Sequence, residues 1–79
     1  MWLITNFGFF SIVQKQDDSK LGTLTVRSRV LEDLESLKEQ YFKQTMGEIQ
    51  VNTGTDYKYR AKVPRDAMAG AMSQIIMDL

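Results

Sequence analysis

Apolar and polar side chains along this chain of 79 residues alternate with period two in some stretches and recur with the helical period in others. Trp2 to Lys15 is rich in aromatic and β-branched residues, which suits strand. Gly8 is expected to mark a bulge or bend dividing it into Trp2–Thr5 and Phe9–Lys15. Gln16-Asp17-Asp18-Ser19-Lys20 reads as a polar turn. Thr23 to Arg27 alternates, with Leu24 and Val26 on one face and Thr23, Thr25 and Arg27 on the other. From Val30 to Phe42, Val30, Leu34, Leu37 and Tyr41 make one apolar helical stripe, with Ser28 as the expected N-cap. Glu48 to Asn52 alternates again, with Ile49 and Val51 facing inward. Asn52 to Asp56 is a hairpin loop. Tyr57, Tyr59, Ala61 and Val63 then share one strand face, with Lys58, Arg60 and Lys62 on the other. Pro64 opens a last helix in which Met68, Met72, Ile75 and Leu79 form the buried stripe. Gly70 lies inside it at some cost in helix propensity.

The order ββαββα predicts one α+β domain over residues 1–79. Two helices should cover one face of a four-stranded, mostly antiparallel sheet. The second and fourth strands are expected to form a parallel central pair. The layout is ferredoxin-like and circularly permuted, its last strand moved to the front. Leu34, Leu37, Met72 and Ile75 should meet Leu24, Val26, Ile49, Val51 and Ala61 in the core.

Composition narrows the chemistry. The chain has no histidine and no cysteine, which removes imidazole acid–base catalysis, thiol nucleophiles, disulfides and the common metal centres. Its serines lack an activating base, and its five glycines build no phosphate-cradling loop. The carboxylates, the adjacent pair Asp17 and Asp18 included, show no metal-loop spacing and read as solvated. The expectation is a protein that is not an enzyme, with no cofactor and no metal. The absence of cysteine fits a reducing, cytoplasmic setting. The apolar segment Met1 to Val13 lacks the features of a signal peptide, and a bilayer needs about 20 helical residues to cross. No membrane association is expected.

Several strings, taken together, carry a resemblance. Trp2-Leu3-Ile4-Thr5, Gly8-Phe9-Phe10-Ser11-Ile12-Val13, Val26-Arg27-Ser28-Arg29 and Asp56-Tyr57-Lys58-Tyr59-Arg60 resemble, in order and spacing, a family of small bacterial proteins with no assigned activity. The resemblance implies the same fold class and carries over no function.

Two surfaces remain as candidates. Arg27, Lys58, Arg60 and Lys62 fall on the sheet face that the helices leave open, and such a row suits phosphates, carboxylates or an acidic partner. The plainer reading is a solvated face balanced by Glu48 and Gln50 across the hairpin. RNA-binding sheets stack bases on aromatic side chains of the open face. Tyr57 and Tyr59 are expected on the core side, and net charge is zero, so nucleic acid is not the expected partner. The second surface is apolar. With Phe10 and Ile12 facing the helices, Phe9, Ser11 and Val13 face outward. Either Trp2, Ile4 or Phe7 folds over them, or a homodimer or protein partner covers them.

Overall fold

The computed structural model describes all 79 residues, Met1–Leu79. Five strands form one antiparallel sheet: β1 (Trp2–Thr5), β2 (Gly8–Val13), β3 (Thr23–Ser28), β4 (Gln50–Val51) and β5 (Tyr59–Pro64), in the order β1-β2-β3-β5-β4. Three helices accompany it: α1 (Asp18–Leu21), α2 (Leu31–Tyr41) and α3 (Arg65–Met77).

The sheet is larger than the sequence pattern predicts because the N-terminal region folds back on itself. Gly8 is not a bulge. Asn6 and Phe7 make a tight turn, Thr5 pairs with Gly8, and β1 lies outside β2 as a separate strand. The Thr5 hydroxyl accepts from the Phe7 N–H at 3.1 Å and donates to the Gly8 carbonyl at 3.0 Å, closing the turn. The backbone of Gly8 passes close to the start of α2. A Cβ placed there would lie 2.9 Å from Asp33 Cβ and 2.8 Å from Phe10 Cζ.

The central pair β3–β5 is antiparallel, from Thr23 opposite Pro64 to Ser28 opposite Tyr59, which corrects the expected parallel pair. The chain leaves β3 through α2, enters β4, turns, and returns on β5, so the expected β4–β5 hairpin itself reverses its direction. Within the predicted polar turn at residues 16–20, α1 begins at Asp18 and runs on to Leu21, one turn of helix closed by Gly22 in the left-handed conformation at φ 67°. Ser28 does not cap α2. It is still in β3, and Val30 holds the N-cap position with an extended backbone. The Ser28 hydroxyl instead accepts from the Val30 N–H at 3.2 Å.

One face of the sheet and the two longer helices share a single core. Phe10 and Ile12 of β2, Val26 of β3, and Ala61 and Val63 of β5 meet Leu34 and Leu37 of α2 and Met68 and Ile75 of α3. Phe42 and Met46, just past α2, are also buried. Leu24, Ile49 and Met72 pack at the margin. Val51 does not join the core as expected. β4 is only two residues long at the sheet edge, and Val51 stays 62% exposed. No helix is long and apolar enough to cross a membrane.

Candidate functional site

Strand register arranges the open face of the sheet in rows. Trp2 pairs with Ser11, Ser11 with Arg27, Arg27 with Arg60, and Arg60 with Gln50. The next row toward α1 runs Val13, Thr25, Lys62. Ile4 and Phe9 begin the row on the other side. The four candidate basic residues therefore do not act alike.

Lys62, half-buried, is drawn into an ion pair with the buried Asp18. Its ammonium donates to Asp18 at 2.7 Å, to the Thr25 hydroxyl at 2.9 Å and to Asp17 at 3.1 Å. All three of its donors are engaged. Asp18 is fully buried, and each of its oxygens accepts twice. Oδ1 takes the Thr23 hydroxyl at 2.6 Å and Lys62, and Oδ2 takes the Lys15 N–H at 2.7 Å and Thr25 at 2.8 Å. Burial alone pushes this carboxyl up. The bonds from Lys62, Thr23, the Lys15 backbone and Thr25 outweigh burial and hold it well below the usual carboxylate range. Burial likewise pulls Lys62 down, and its contacts with Asp18 and Asp17 more than restore it, leaving it above the ordinary lysine value. Asp17 and Asp18 are thus not a solvated pair. They pin α1 against β3 and β5. The α1 contact is also what neutralises Lys62, not the Glu48 expected across the hairpin.

The arginines are placed differently. Arg27 donates to the Ser11 hydroxyl at 2.8 Å. Arg60 donates to the Thr55 hydroxyl and the Tyr57 carbonyl, both at 3.0 Å. The Nε atoms of both are enclosed and donate to nothing. Every ion pair in the molecule is made by a lysine, so Arg27, Arg29 and Arg60 lie beyond ion-pair distance of any carboxylate. Lys58 precedes β5 and is exposed.

Tyr57 corrects a second expectation. The strand begins at Tyr59, so alternation does not reach back to Tyr57. Its ring sits on the open face, with the Arg27 guanidinium 4.9 Å and the Arg29 guanidinium 5.0 Å from its centroid. Trp2 stands 5.7 Å from Tyr57 and 5.2 Å from Phe9, centroid to centroid. Trp2 partly covers Phe9, which remains 38% exposed, while Ser11 is buried and Val13 half-buried. Trp2 and Ile4 themselves are 57% and 66% exposed.

The candidate basic row and the candidate apolar row therefore meet, and they meet at Tyr57. Arg29 and Asp18 were not singled out by sequence reasoning, Trp2 was expected only as a cover for Phe9, which it partly is, and Tyr57 was expected on the core side. Trp2 and Ile4 share one face by period two, a readable signal once β1 is a strand of its own. Arg29 continues the parity of Arg27. The side-chain partners of Asp18 give no local signal, since they lie 44 residues away at Lys62 and 5 and 7 away at Thr23 and Thr25, and only the Lys15 N–H is close in sequence. Beside this face, a groove of about 460 Å³ is lined by residues that include Lys15, Asp17, Glu48, Gln50, Arg60 and Lys62. Its charges are mixed. Comparison with family models, with curated proteins and with solved structures finds no match to this chain.

Proposed function

We propose that this chain is a non-catalytic interaction module that assembles through the free edge of β1. Its core, in this reading, is the permuted ferredoxin-like sandwich β2-β3-β5-β4 with α2 and α3, and β1 is added outside it. The observation that carries the proposal is the chemistry of that edge. Met1 and Ile12 exchange both backbone bonds, at 2.8 and 2.9 Å. Alternation then directs the N–H and C=O groups of Leu3 toward β2 and those of Trp2 and Ile4 outward. No charged side chain occurs between Trp2 and Gln14, and the edge has no proline or bulge. These are the devices that keep sheet edges apart, and β1 lacks them. A second β1 in antiparallel register fits the outward groups. Leu3 would face its own copy across the two-fold axis, with Trp2 opposite Ile4 of the partner. Residue chemistry supports the non-catalytic part. The one fully buried carboxylate, Asp18, has both oxygens occupied by structural donors.

Sedimentation velocity over a wide concentration range tests this. The parent should pass from monomer to dimer, and Ile4→Lys should remain monomeric with its thermal midpoint close to the parent's, because Ile4 is exposed. A parent that stays monomeric throughout, or an Ile4→Lys variant that dimerises as the parent does, overturns the reading.

A further inference from the structure

Zero net charge conceals a separation of charge across the sheet. The helical side carries six carboxylates, at Glu32, Asp33, Glu35, Glu39, Asp66 and Asp78, against three bases at Lys38, Lys43 and Arg65. The remaining residues carry seven bases against four acids, and of those acids Asp17 and Asp18 are taken by Lys62. The arginines of the open face are therefore left without anionic partners. They lie among aromatic rings, with Trp2 more than half exposed beside Tyr57 and Phe9.

From this juxtaposition we propose that the open face binds single-stranded nucleic acid, with Arg27, Arg29 and Arg60 on phosphates and Trp2 stacking a base. Guanidinium groups match phosphate oxygens in pairs, and an aromatic face stacks any base without reading its sequence. Arg27 and Arg60 each commit only Nη2 within the fold, and Arg29 commits no side-chain nitrogen, so terminal guanidinium donors remain for a ligand. Tyr57 holds two guanidiniums within 5.0 Å of its ring centre and so orders them before any ligand arrives. The face spans β1 to β5, three strand spacings or roughly 14 Å, which is room for two or three nucleotides. Of the two tyrosines expected on the core side, Tyr59 does pack there, but Tyr57 lies on the open face beside Trp2. A purely anionic ligand would use the arginines and leave Trp2 idle, so the exposed ring decides between the two. This inference does not depend on pairing through β1, which uses the backbone of Trp2 and not its ring.

Trp2 is the only tryptophan, so its emission reports on the site directly. A fluorescein-labelled oligothymidine, titrated at low salt, should bind and quench Trp2. The logarithm of affinity should fall against the logarithm of salt with a slope of about −2, as three phosphate contacts on a single strand require. Arg29→Gln should flatten that slope by about 0.7, and Trp2→Leu should weaken binding about tenfold or more. Lys43→Gln, at the far end of α2, should change neither. Inorganic polyphosphate serves as the competing probe. No binding at low salt overturns the proposal. So does polyphosphate that binds as tightly as the oligonucleotide together with an unaffected Trp2→Leu, which would leave an anion site only.

Discussion

Asp18 keeps its charge although it is wholly removed from water. An isolated carboxylate in that position would be protonated or would unfold its surroundings. Four donors, one of them the Lys62 ammonium that also bonds Asp17, make the charged form the stable one. The pH consequence follows from the direction of the shift. The folded-state value lies below the unfolded one, so the contribution of Asp18 is complete above the ordinary carboxylate range and is lost as pH falls below it. Lys62 is shifted upward, so its contribution is complete below the ordinary lysine range and is lost as pH rises through it. Stability should therefore show a plateau between the two ranges. Asp18→Asn puts amide hydrogens against existing donors and takes the nearest counter-charge from Lys62. It should cost about 3 kcal/mol, a large part of the roughly 4–12 kcal/mol expected for a domain of this size. Urea unfolding at neutral pH measures the loss, and repeating it in acid should find the variant less sensitive to pH than the parent. A variant as stable as the parent would show that the pair only holds α1 in place. None of this is legible in the sequence. Asp17-Asp18 in a polar stretch has the composition of a solvated turn, and its meaning appears only when the register sets Thr25 opposite Lys62.

Among the elements, the ones that local pattern describes well are those with one fully apolar face. Leu24 and Val26 in β3, Ala61 and Val63 in β5, Leu34 and Leu37 in α2 and Met68 and Ile75 in α3 fall where period two and period 3.6 put them, while the outer ends of the predicted stripes, Val30 and Leu79, are exposed. The pattern fails where an element is short or lies at an edge. β4 is two residues with both side chains exposed, so Val51 gains nothing by facing inward. The division expected near Gly8 is real and β1 keeps the expected bounds Trp2–Thr5, but it is a two-residue turn of Asn6 and Phe7 that pairs the segments as neighbouring strands, not a bend within one. Two glycines give opposite predictions that test this account. Gly8 has no room for a methyl group against Asp33 and Phe10, and Gly8→Ala should destabilise by about 1–3 kcal/mol through displacement of α2 from the hairpin. Gly70 lies in the middle of α3 with nothing within 4 Å of the position a Cβ would take. Gly70→Ala should therefore stabilise by about 0.5–1 kcal/mol and raise the thermal midpoint by several degrees. Calorimetry on the two variants should give shifts of opposite sign. A Gly70→Ala variant that melts lower would mean that the exposed side of α3 is in contact with something in solution.

For the whole molecule, the two sides of the sheet differ in charge although the total is zero. Acids gather on α2 because carboxylates suit a helix N-terminus, as Glu32 and Asp33 do, and because that helix turns its outer face to water. Arginines gather on the open face because β3 and β5 place alternate side chains there. The molecule measures 33 × 26 × 22 Å, and the Debye length near 0.1 M salt is about 10 Å, so a charged surface held against one side is screened from the other. Net charge, the quantity that composition supplies, is then the wrong guide to what this protein touches. The same chain at pH 7 should be retarded by both a cation-exchange and an anion-exchange matrix at about 0.1 M salt, through opposite sides. Arg29→Gln with Arg60→Gln should reduce retention on the cation exchanger and leave the anion exchanger nearly unchanged. Glu35→Gln with Glu39→Gln should do the reverse at little cost in stability, since exposed charges contribute little, whereas the arginine pair should lose some stability because Arg60 is half-buried and bonded to Thr55 and Tyr57. If each double variant shifts retention on both matrices equally, the charges act as one average and the two sides are not separate surfaces. Opposite, independent shifts would place an anionic partner on the open side of the sheet, where Trp2, Tyr57 and the arginines lie.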